Sequence, residues 1–202
     1  MTPRFVARQL SYQRGILGSF IGRLMNRRNA RMNAFAVEQL QLCRSDRVLE
    51  IGFGGGVNLP ALIAGCRFVT GLDPSPDVVK RARSKFAEAV KTGRAEFRIG
   101  RVEALPLEDR QFEKVCTVNT VYFWKSLDAG FAEIYRVVTP GGRIVVGFLP
   151  KLWMDRMRMP RDIFTPRTAE QVAESMARAG FRRVRVCRPR PGTPWNAIVA
   201  TR

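Results

Sequence analysis

Histidine is absent from the 202-residue chain, and its absence excludes several kinds of chemistry. Imidazole is the usual general base near neutral pH and a common zinc ligand. The four cysteines, Cys43, Cys66, Cys116 and Cys187, form no CxxC pair, so the spacing typical of zinc and redox centres is missing too. We therefore expect no metal site and no Ser/His or Cys/His triad, and we expect the cysteines to be small, buried, reduced thiols.

Acidic residues are missing from both ends of the chain. None precedes Glu38 and none follows Glu174, although the chain carries 35 cationic residues, 29 of them arginine, and a formal net charge of +18. Cationic ends can bind nucleic acid, an anionic membrane surface or an anionic substrate. Solvated arginines without a specific partner explain the charge equally well.

Long apolar runs are also missing, and none approaches the roughly 20 residues of a membrane-spanning helix. The N-terminal residues lack the continuous apolar segment of a secretory signal. We therefore expect a cytoplasmic protein, with peripheral attachment to the inner membrane face as an alternative.

What the sequence does contain is an alternation of short apolar runs with helical patterns, which favours a parallel α/β sheet. The predicted strands are residues 48–51, 68–72, 95–99, 115–118, 144–148, 184–187 and 197–200. The last two are too close for a crossover helix and predict an antiparallel pair. The fold class is thus a doubly wound, seven-stranded, mostly parallel Rossmann-like sheet with a C-terminal antiparallel strand.

Helix boundaries are marked by capping residues. Ser75 before a proline predicts a helix through Val90, Ser126 predicts a helix over 127–138, and Thr168 with Gln171 resembles a capping box. Residues 1–30 are broken by glycines and rich in arginine, so we interpret them as a basic helical lid or appendage on a domain spanning 31–202.

The segment "VLEIGFGGGVNLPAL", residues 48–62, takes the first strand into a glycine-rich turn. Ligands of parallel α/β sheets lie at such turns, where glycine lets them approach the backbone. A dinucleotide fingerprint begun at Gly52 would need a small residue at Val57, and no GK[ST] follows for a P-loop. What remains is Glu50 with glycines at alternate positions, and Asp73 ending the next strand 21 residues after Gly52, where an acid can accept both ribose hydroxyls of an adenosine.

"LEIGFGGG" resembles motif I of the class I S-adenosylmethionine-dependent methyltransferases, and "VTGLDPSPDVVKRAR" resembles their strand-two acidic motif. "GRVEALPLEDRQFEKV", "VTPGGRIVV" and "TPRTAEQVAESMARAGFRRVRV" are similar to later segments of the family. The resemblance covers residues 32–202 and is nearest to the ubiquinone/menaquinone C-methyltransferase type, a group of methyltransferase domain 11.

The resemblance implies S-adenosylmethionine as cofactor and S-adenosylhomocysteine as its product. It implies that Gly52, Gly54 and Gly56 pass under the methionine part, with Glu50 orienting that loop or the amino group. For Glu50, a buried carboxylate satisfied by backbone amides is the structural alternative. The remaining cofactor positions would be Asp73 on the ribose, Pro74 and Ser75 beside the adenine, Val102 and Glu103 at the adenine edge, and Asn119. The chain departs from the family at Arg101, where an acid often accepts from the adenine amino group, and Glu103 is a candidate replacement.

In the family, the loop after strand four faces the methyl group and the acceptor, and here it reads "NTVYFWK". Tyr122 is the candidate general base or acceptor hydrogen-bonding group, and Asn119 the candidate aligning residue. Trp124 is a candidate acceptor-binding residue, whereas packing is the better interpretation of Phe123. Candidate acceptor-covering residues elsewhere are Tyr12, Phe20 and Trp153, the last with Met154, Met157 and Met159 as an adaptable apolar wall.

Methyl transfer from a sulfonium needs alignment and a dry site more than a base, so it suits a chain without histidine. We expect a methyltransferase acting on a small, amphiphilic or anionic acceptor by in-line displacement. A phospholipid or quinone methyltransferase recruited to anionic membranes by the basic N-terminus is one alternative. An RNA-binding protein or RNA methyltransferase is a weaker one, because no RNA-binding module and no Asn/Asp-Pro-Pro-aromatic motif is present.

Overall fold

The structure is a computed structural model that describes residues 29–202. Most of the predicted appendage, together with Tyr12 and Phe20, lies outside these residues, so the predictions made for it stay predictions. Residues 29–40 form a helix, α1, which packs Ala36 and Leu40 into the core.

Seven strands and seven helices make up the described part of the chain. The strands are β1 Arg47–Ile51, β2 Phe68–Asp73, β3 Ala95–Ile99, β4 Phe112–Val118, β5 Val138–Phe148, β6 Arg182–Cys187 and β7 Asn196–Thr201. The helices after α1 are α2 Leu59–Gly65, α3 Pro76–Lys85, α4 Ala87–Lys91, α5 Leu127–Val137, α6 Lys151–Arg156 and α7 Ala169–Arg178.

The strands form one sheet in the order β3-β2-β1-β4-β5-β7-β6. The first five strands are parallel where they pair, and β7 runs antiparallel to both β5 and β6. This confirms the predicted fold class and the antiparallel C-terminal strand. Central strands such as β1 are covered on both faces, which explains their short, continuous apolar runs.

Each face of the sheet carries its own core. One packs α1, α2 and α3 against the sheet through residues such as Leu40, Leu62 and Val79, and the other packs α5 and α7 through Phe131, Ile134 and Met176. The predicted caps are present: Ser75, Ser126 and Thr168 each accept a backbone N–H from their helix, and Thr168 with Gln171 forms a complete capping box. Because helices cover both faces of the sheet, the central strands are accessible to a ligand only at their ends.

Three local predictions were wrong. The helix predicted through Val90 breaks at Phe86, where the backbone leaves helical geometry (φ −111°, ψ 30°) and the ring packs 5.8 Å from that of Phe97. β5 begins before the Pro-Gly-Gly turn, because Val138 already pairs with Phe112 and the register then shifts. Cys43 is exposed rather than buried.

No helix within residues 29–202 has the length and apolarity required to cross a bilayer.

Candidate functional site

The candidate site lies where β1, β2 and β4 end. The chain runs from β1 outward to β2 and β3 and then returns to β4 on the other side of β1. Parallel sheets bind ligands at the crevice that such a reversal opens beyond the carboxyl ends of the strands. The turn after β1, Asp73 and the loop after β4 all meet at this edge.

The glycine turn after β1 depends on left-handed backbone geometry. Gly52, Gly54 and Gly56 have φ angles of +70°, +49° and +69°, a region that glycine enters without steric penalty. A Cβ built on Gly52 would overlap the methyl group of Thr120. Glycine at 52 therefore allows the turn after β1 to pass directly against the loop after β4.

Glu50, the penultimate residue of β1, is buried with 3% of its surface exposed. Its Oε1 atom accepts a hydrogen bond from Asn58 Nδ2 at 2.8 Å, whereas Oε2 is buried and has no hydrogen-bond partner within residues 29–202. Burial raises the pKa of Glu50 to about 8, the Asn58 bond opposes that rise, and the negative charge of Asp73 adds to it. The site thus contains a buried acceptor oxygen available to a donor or cation, and the alternative of satisfaction by backbone amides alone does not describe it.

Asp73 ends β2 and is 6% exposed. Its Oδ2 accepts from the N–H of Gly54 and its Oδ1 from the N–H of Ser75, both at 3.0 Å. Burial raises the pKa of Asp73, and these two backbone bonds oppose the rise. Each oxygen can accept a further hydrogen bond, so the carboxylate is held in place with capacity for a pair of hydroxyl groups. Pro74 lies next to it, half-buried.

The segment after β3, which contains the predicted adenine-edge residues Val102 and Glu103, is held by contacts with α5 and with the loop after β4. Val102 is buried in the core beside Gly130, and Arg101 is exposed and bridges to Ala104. Glu103, the candidate replacement for an acid at position 101, accepts a hydrogen bond from the N–H of Lys125 at 2.7 Å. Its carboxylate therefore links this segment to the loop after β4, which is a structural role that sequence reasoning did not anticipate.

Asn119 and Tyr122 form a small buried network in the loop after β4. Asn119 adopts φ +59°, and its Oδ1 accepts from the Tyr122 hydroxyl at 2.9 Å. The same hydroxyl accepts from the N–H of Leu149, which ties the β4 loop to the end of β5. Burial raises the pKa of Tyr122 above its ordinary value. This arrangement favours a positioning role for Tyr122 over the predicted role of general base.

The two neighbouring aromatic residues differ in exposure, and the packing predicted for Phe123 is present. Trp124 is 5% exposed, with its ring 5.1 Å from that of Phe131 on α5. Phe123 is half-buried, with its ring 4.9 Å from that of Phe164. Trp124 is thus a core residue, and Phe123 is the aromatic side chain of this loop that keeps exposed surface. Trp153 is half-buried as well, and the Arg156 guanidinium lies 4.7 Å from its ring centre.

Three site residues were missed by the sequence analysis. Asn58 holds Glu50, and Thr117 donates to the Ile51 carbonyl at 2.9 Å while it is hydrogen-bonded to the hydroxyl of Thr120. The position of Asn58 directly before a Leu-Pro helix start was the available signal. That position indicates a helix cap, but the Asn58 side chain makes no capping bond and turns to Glu50 instead. Nothing in the local sequence marks the two threonines.

These groups fit an adenosyl-methionine ligand. The Asp73 carboxylate suits a ribose diol, and the Glu50 oxygen that has no partner within residues 29–202 suits an ammonium group. The glycine turn lets a ligand lie against backbone atoms. All three lie at the crevice that the order of the strands predicts.

Comparison with known proteins points the same way. Residues 49–146 match the family model of a methyltransferase domain. An uncharacterized methyltransferase of Bacillus subtilis, YdaC, is 30% identical over 132 residues, which are 64% of this chain and 71% of that protein. The ubiquinone/menaquinone biosynthesis C-methyltransferase of Geotalea daltonii is 27% identical over 115 residues, 55% of this chain and 49% of that protein.

The fold is shared with solved structures as well. The geranyl diphosphate C-methyltransferase of Streptomyces coelicolor, solved with Mg²⁺, geranyl-S-thiolodiphosphate and S-adenosylhomocysteine, superposes with a TM-score of 0.69. The match covers 86% of this chain and 76% of that one at 15% identity, so the superposition shows a likeness of fold alone.

Proposed function

Because the chain belongs to the class I S-adenosylmethionine-dependent methyltransferases, we propose that it methylates a small, amphiphilic or anionic acceptor by in-line displacement. The observation that carries the proposal is a pair of buried carboxyl groups where the strand order reverses: Asp73 is held by two backbone amides, and one oxygen of Glu50 has no partner in the part of the chain that the structure describes. This pair matches the two polar ends of the cofactor.

In this proposal, Asp73 holds the ribose hydroxyls and Glu50 the amino group, while Gly52, Gly54 and Gly56 offer their backbone to the methionine part. Pro74 and Val102 are placed at the adenine. When bound, the cofactor supplies a methyl group on a positively charged sulfur. Because that charge disappears during transfer, the protein chiefly needs to align the acceptor and exclude water.

The acceptor side is formed by the loop after β4. Phe123 contributes exposed aromatic surface, and the bonds from Asn119 and Leu149 to Tyr122 hold the loop in one shape. An aromatic face can also attract a sulfonium or another cation. These residues orient and shield, and none of them needs to remove a proton when the acceptor atom already carries a free lone pair.

An amphiphilic or anionic acceptor is supported by two observations. One relative is named for ubiquinone/menaquinone biosynthesis and one structural neighbour for geranyl diphosphate. The chain also carries a formal charge of +18, which favours anionic ligands. A product-coupled screen against amines, thiols, phenols, quinols and phospholipids would identify the acceptor atom.

The cofactor part of the proposal is tested by calorimetry with S-adenosylmethionine. We expect Asp73→Ala to weaken binding by about 100-fold or more, since hydrogen bonds to a charged group contribute about 1.5–3 kcal/mol each. Glu88→Ala, which removes an exposed acid on α4, is the matched control and should leave the affinity unchanged. An absence of binding to the wild type, or equal binding to Asp73→Ala, would contradict the proposal.

A further inference from the structure

The segment between β5 and α7, residues 150–167, leaves the sheet and returns to the same place. We call it the β5–α7 excursion. At its base the Lys151 N–H donates to the Arg167 carbonyl at 2.8 Å, and the Thr165 N–H donates to the Tyr122 carbonyl at 3.0 Å. Since it follows the carboxyl end of β5, the excursion stands at the same edge of the sheet as the candidate site, beside the loop after β4.

The inner side of the excursion is anchored. Met154 and Phe164 are 2% and 3% exposed, and the Phe164 ring lies against that of Phe123. Across its middle, Asp155 accepts from Lys151 Nζ at 2.6 Å and pairs with Arg161. The outer side chains are therefore carried on a defined backbone.

The outer side combines apolar and cationic side chains. Leu152 is 59% exposed and Met157 is 45% exposed. Six large hydrophobic residues are exposed within residues 29–202, and no other two of them lie within five positions of each other. Lys151, Arg156, Arg158 and Arg161 of the same short segment are exposed as well. Isolated exposed apolar residues are ordinary, but two of them within six consecutive residues of a segment with four exposed cations are unusual for a surface that faces only water.

We propose that the exposed side chains of the excursion, Leu152 and Met157 with the four exposed cations of the same segment, dock on an anionic phospholipid bilayer. The charge favours this occupant: the excursion contains five cationic and two acidic residues, and an anionic headgroup layer complements that excess. Asp155 pairs with Lys151 and Arg161, so we assign the headgroup contacts chiefly to the exposed side chains of Arg156 and Arg158. Leu152 and Met157 enter the boundary between headgroups and acyl chains, as in surface-bound amphipathic segments.

Because the excursion stands at the same edge of the sheet as the candidate site, docking through it would bring that edge close to the membrane. The buried Phe164 ring of the excursion lies against Phe123, so the docked segment and the acceptor side of the site are in direct contact, and an amphiphilic acceptor could be taken from the bilayer. This last step rests on the proposed function, whereas adsorption to the bilayer does not.

The test is co-sedimentation of the full chain with vesicles of phosphatidylcholine, with and without phosphatidylglycerol. We expect the wild type to bind the anionic vesicles. We expect Leu152→Asp/Met157→Asp to weaken that binding by about tenfold or more. Arg156→Gln/Arg158→Gln should weaken it several-fold and reduce its dependence on salt.

Matched controls are available elsewhere on the surface. Val90→Asp/Val186→Asp changes two other exposed apolar residues, and Arg182→Gln/Arg185→Gln changes two exposed arginines on β6. Both pairs should bind vesicles like the wild type. Calorimetry with S-adenosylmethionine on every variant verifies that the fold is intact.

Several outcomes would overturn the inference. The first is that the wild type does not bind anionic vesicles, and the second is that the control pairs lose as much binding as the excursion variants. The third is that the excursion variants bind like the wild type, which would assign the membrane contact to residues 1–28 or to another basic region. If the excursion variants lose self-association in sedimentation velocity experiments without vesicles, the surface binds a second copy of the chain. If they lose RNA binding but not vesicle binding, the surface binds nucleic acid. If the protein binds vesicles but not the cofactor, the proposed function is contradicted and the docking surface is supported. If it binds the cofactor but not vesicles, the docking surface is contradicted and the proposed function is supported.

Discussion

The turn after β1 and the loop after β4 touch each other at Gly52 and Thr120, but they are built on different principles. The first holds two buried carboxylates and offers backbone to a ligand. The second is a neutral network of Asn119, Tyr122 and the Leu149 N–H, with one half-exposed aromatic ring. Under the proposed function, the first loop would hold a cofactor of constant chemistry with fixed backbone groups, and the second would bind the acceptor through the side chains that it exposes.

The difference is electrostatic as well as geometric. Burial raises the pKa of both Glu50 and Asp73, so negative charge beside the turn after β1 lowers the stability of the free protein, and Glu50 is largely protonated below about pH 8. In the loop after β4, burial keeps the Tyr122 hydroxyl protonated and available as a donor to Asn119. A cationic ligand would therefore stabilise the turn after β1 by charge attraction, whereas the loop after β4 carries no negative charge to attract it and would be stabilised only by packing.

The largest expected effect concerns Glu50. Its pKa is about 8 in the folded protein against 4.5 unfolded, so the folded state binds more protons between these values and stability falls as pH rises through that window. We expect the free wild type to lose up to about 5 kcal/mol from pH 4.5 to pH 8 through this group. Glu50→Gln should lack this loss, as measured by urea denaturation at a series of pH values.

The same carboxylate links pH to cofactor binding. A bound ammonium group favours the ionised form of Glu50, so the affinity of the wild type for S-adenosylmethionine should increase from pH 6 to pH 8, and that of Glu50→Gln should not. Identical pH profiles for the two proteins would show that the two loops do not differ in charge as described.

The next effect separates the two aromatic residues of the β4 loop. Trp124→Ala should destabilise the protein by about 3–5 kcal/mol, because it empties a core position against Phe131. Phe123→Ala should cost about 1–2 kcal/mol, because its ring is half-buried, and it should raise the acceptor KM. Thermal denaturation and a product-coupled assay measure these effects, with Trp124→Phe as the control that retains most of the packing. A larger loss of stability in Phe123→Ala would reverse the assignment.

The smallest effect probes the contact between the loops. Gly52→Ala should cost about 2–3 kcal/mol, from left-handed backbone strain and from overlap with the Thr120 methyl group. Adding Thr120→Ser removes that methyl group and should recover about 1 kcal/mol. Gly93→Ala has the same backbone strain (φ +67°) with no atom within 4 Å of the new Cβ, so its cost measures strain alone. Equal costs at positions 52 and 93 in denaturation experiments would mean that the loops do not press on each other.

The turn after β1 was predictable because its requirements are local. Positive φ angles need glycine, the strand needs an apolar run, and Asp73 comes at the end of the next strand in the chain. The same logic predicted the caps at Ser75, Ser126 and Thr168, since a cap is decided by residues within one helical turn.

The features that the sequence did not reveal concern side chains whose direction depends on distant partners. Trp124 is turned inward by Phe131 and Gly130, and Glu103 is drawn to the Lys125 N–H 22 positions later. The break at Phe86 likewise depends on a ring that packs against β3. The sequence around each of these residues is compatible with either orientation.

The sequence by itself determined the fold class and the position of the glycine turn, because periodicity, capping and glycine geometry operate over a few neighbouring residues, and the resemblance of its motifs to those of a known family indicated the methyltransferases. Only the tertiary structure decided that Oε2 of Glu50 has no partner within residues 29–202, that Phe123 rather than Trp124 keeps exposed surface, and that Leu152 and Met157 are both exposed. Burial, and with it pKa and exposure, is set by the residues that the folded chain brings together, and those lie far apart in the sequence.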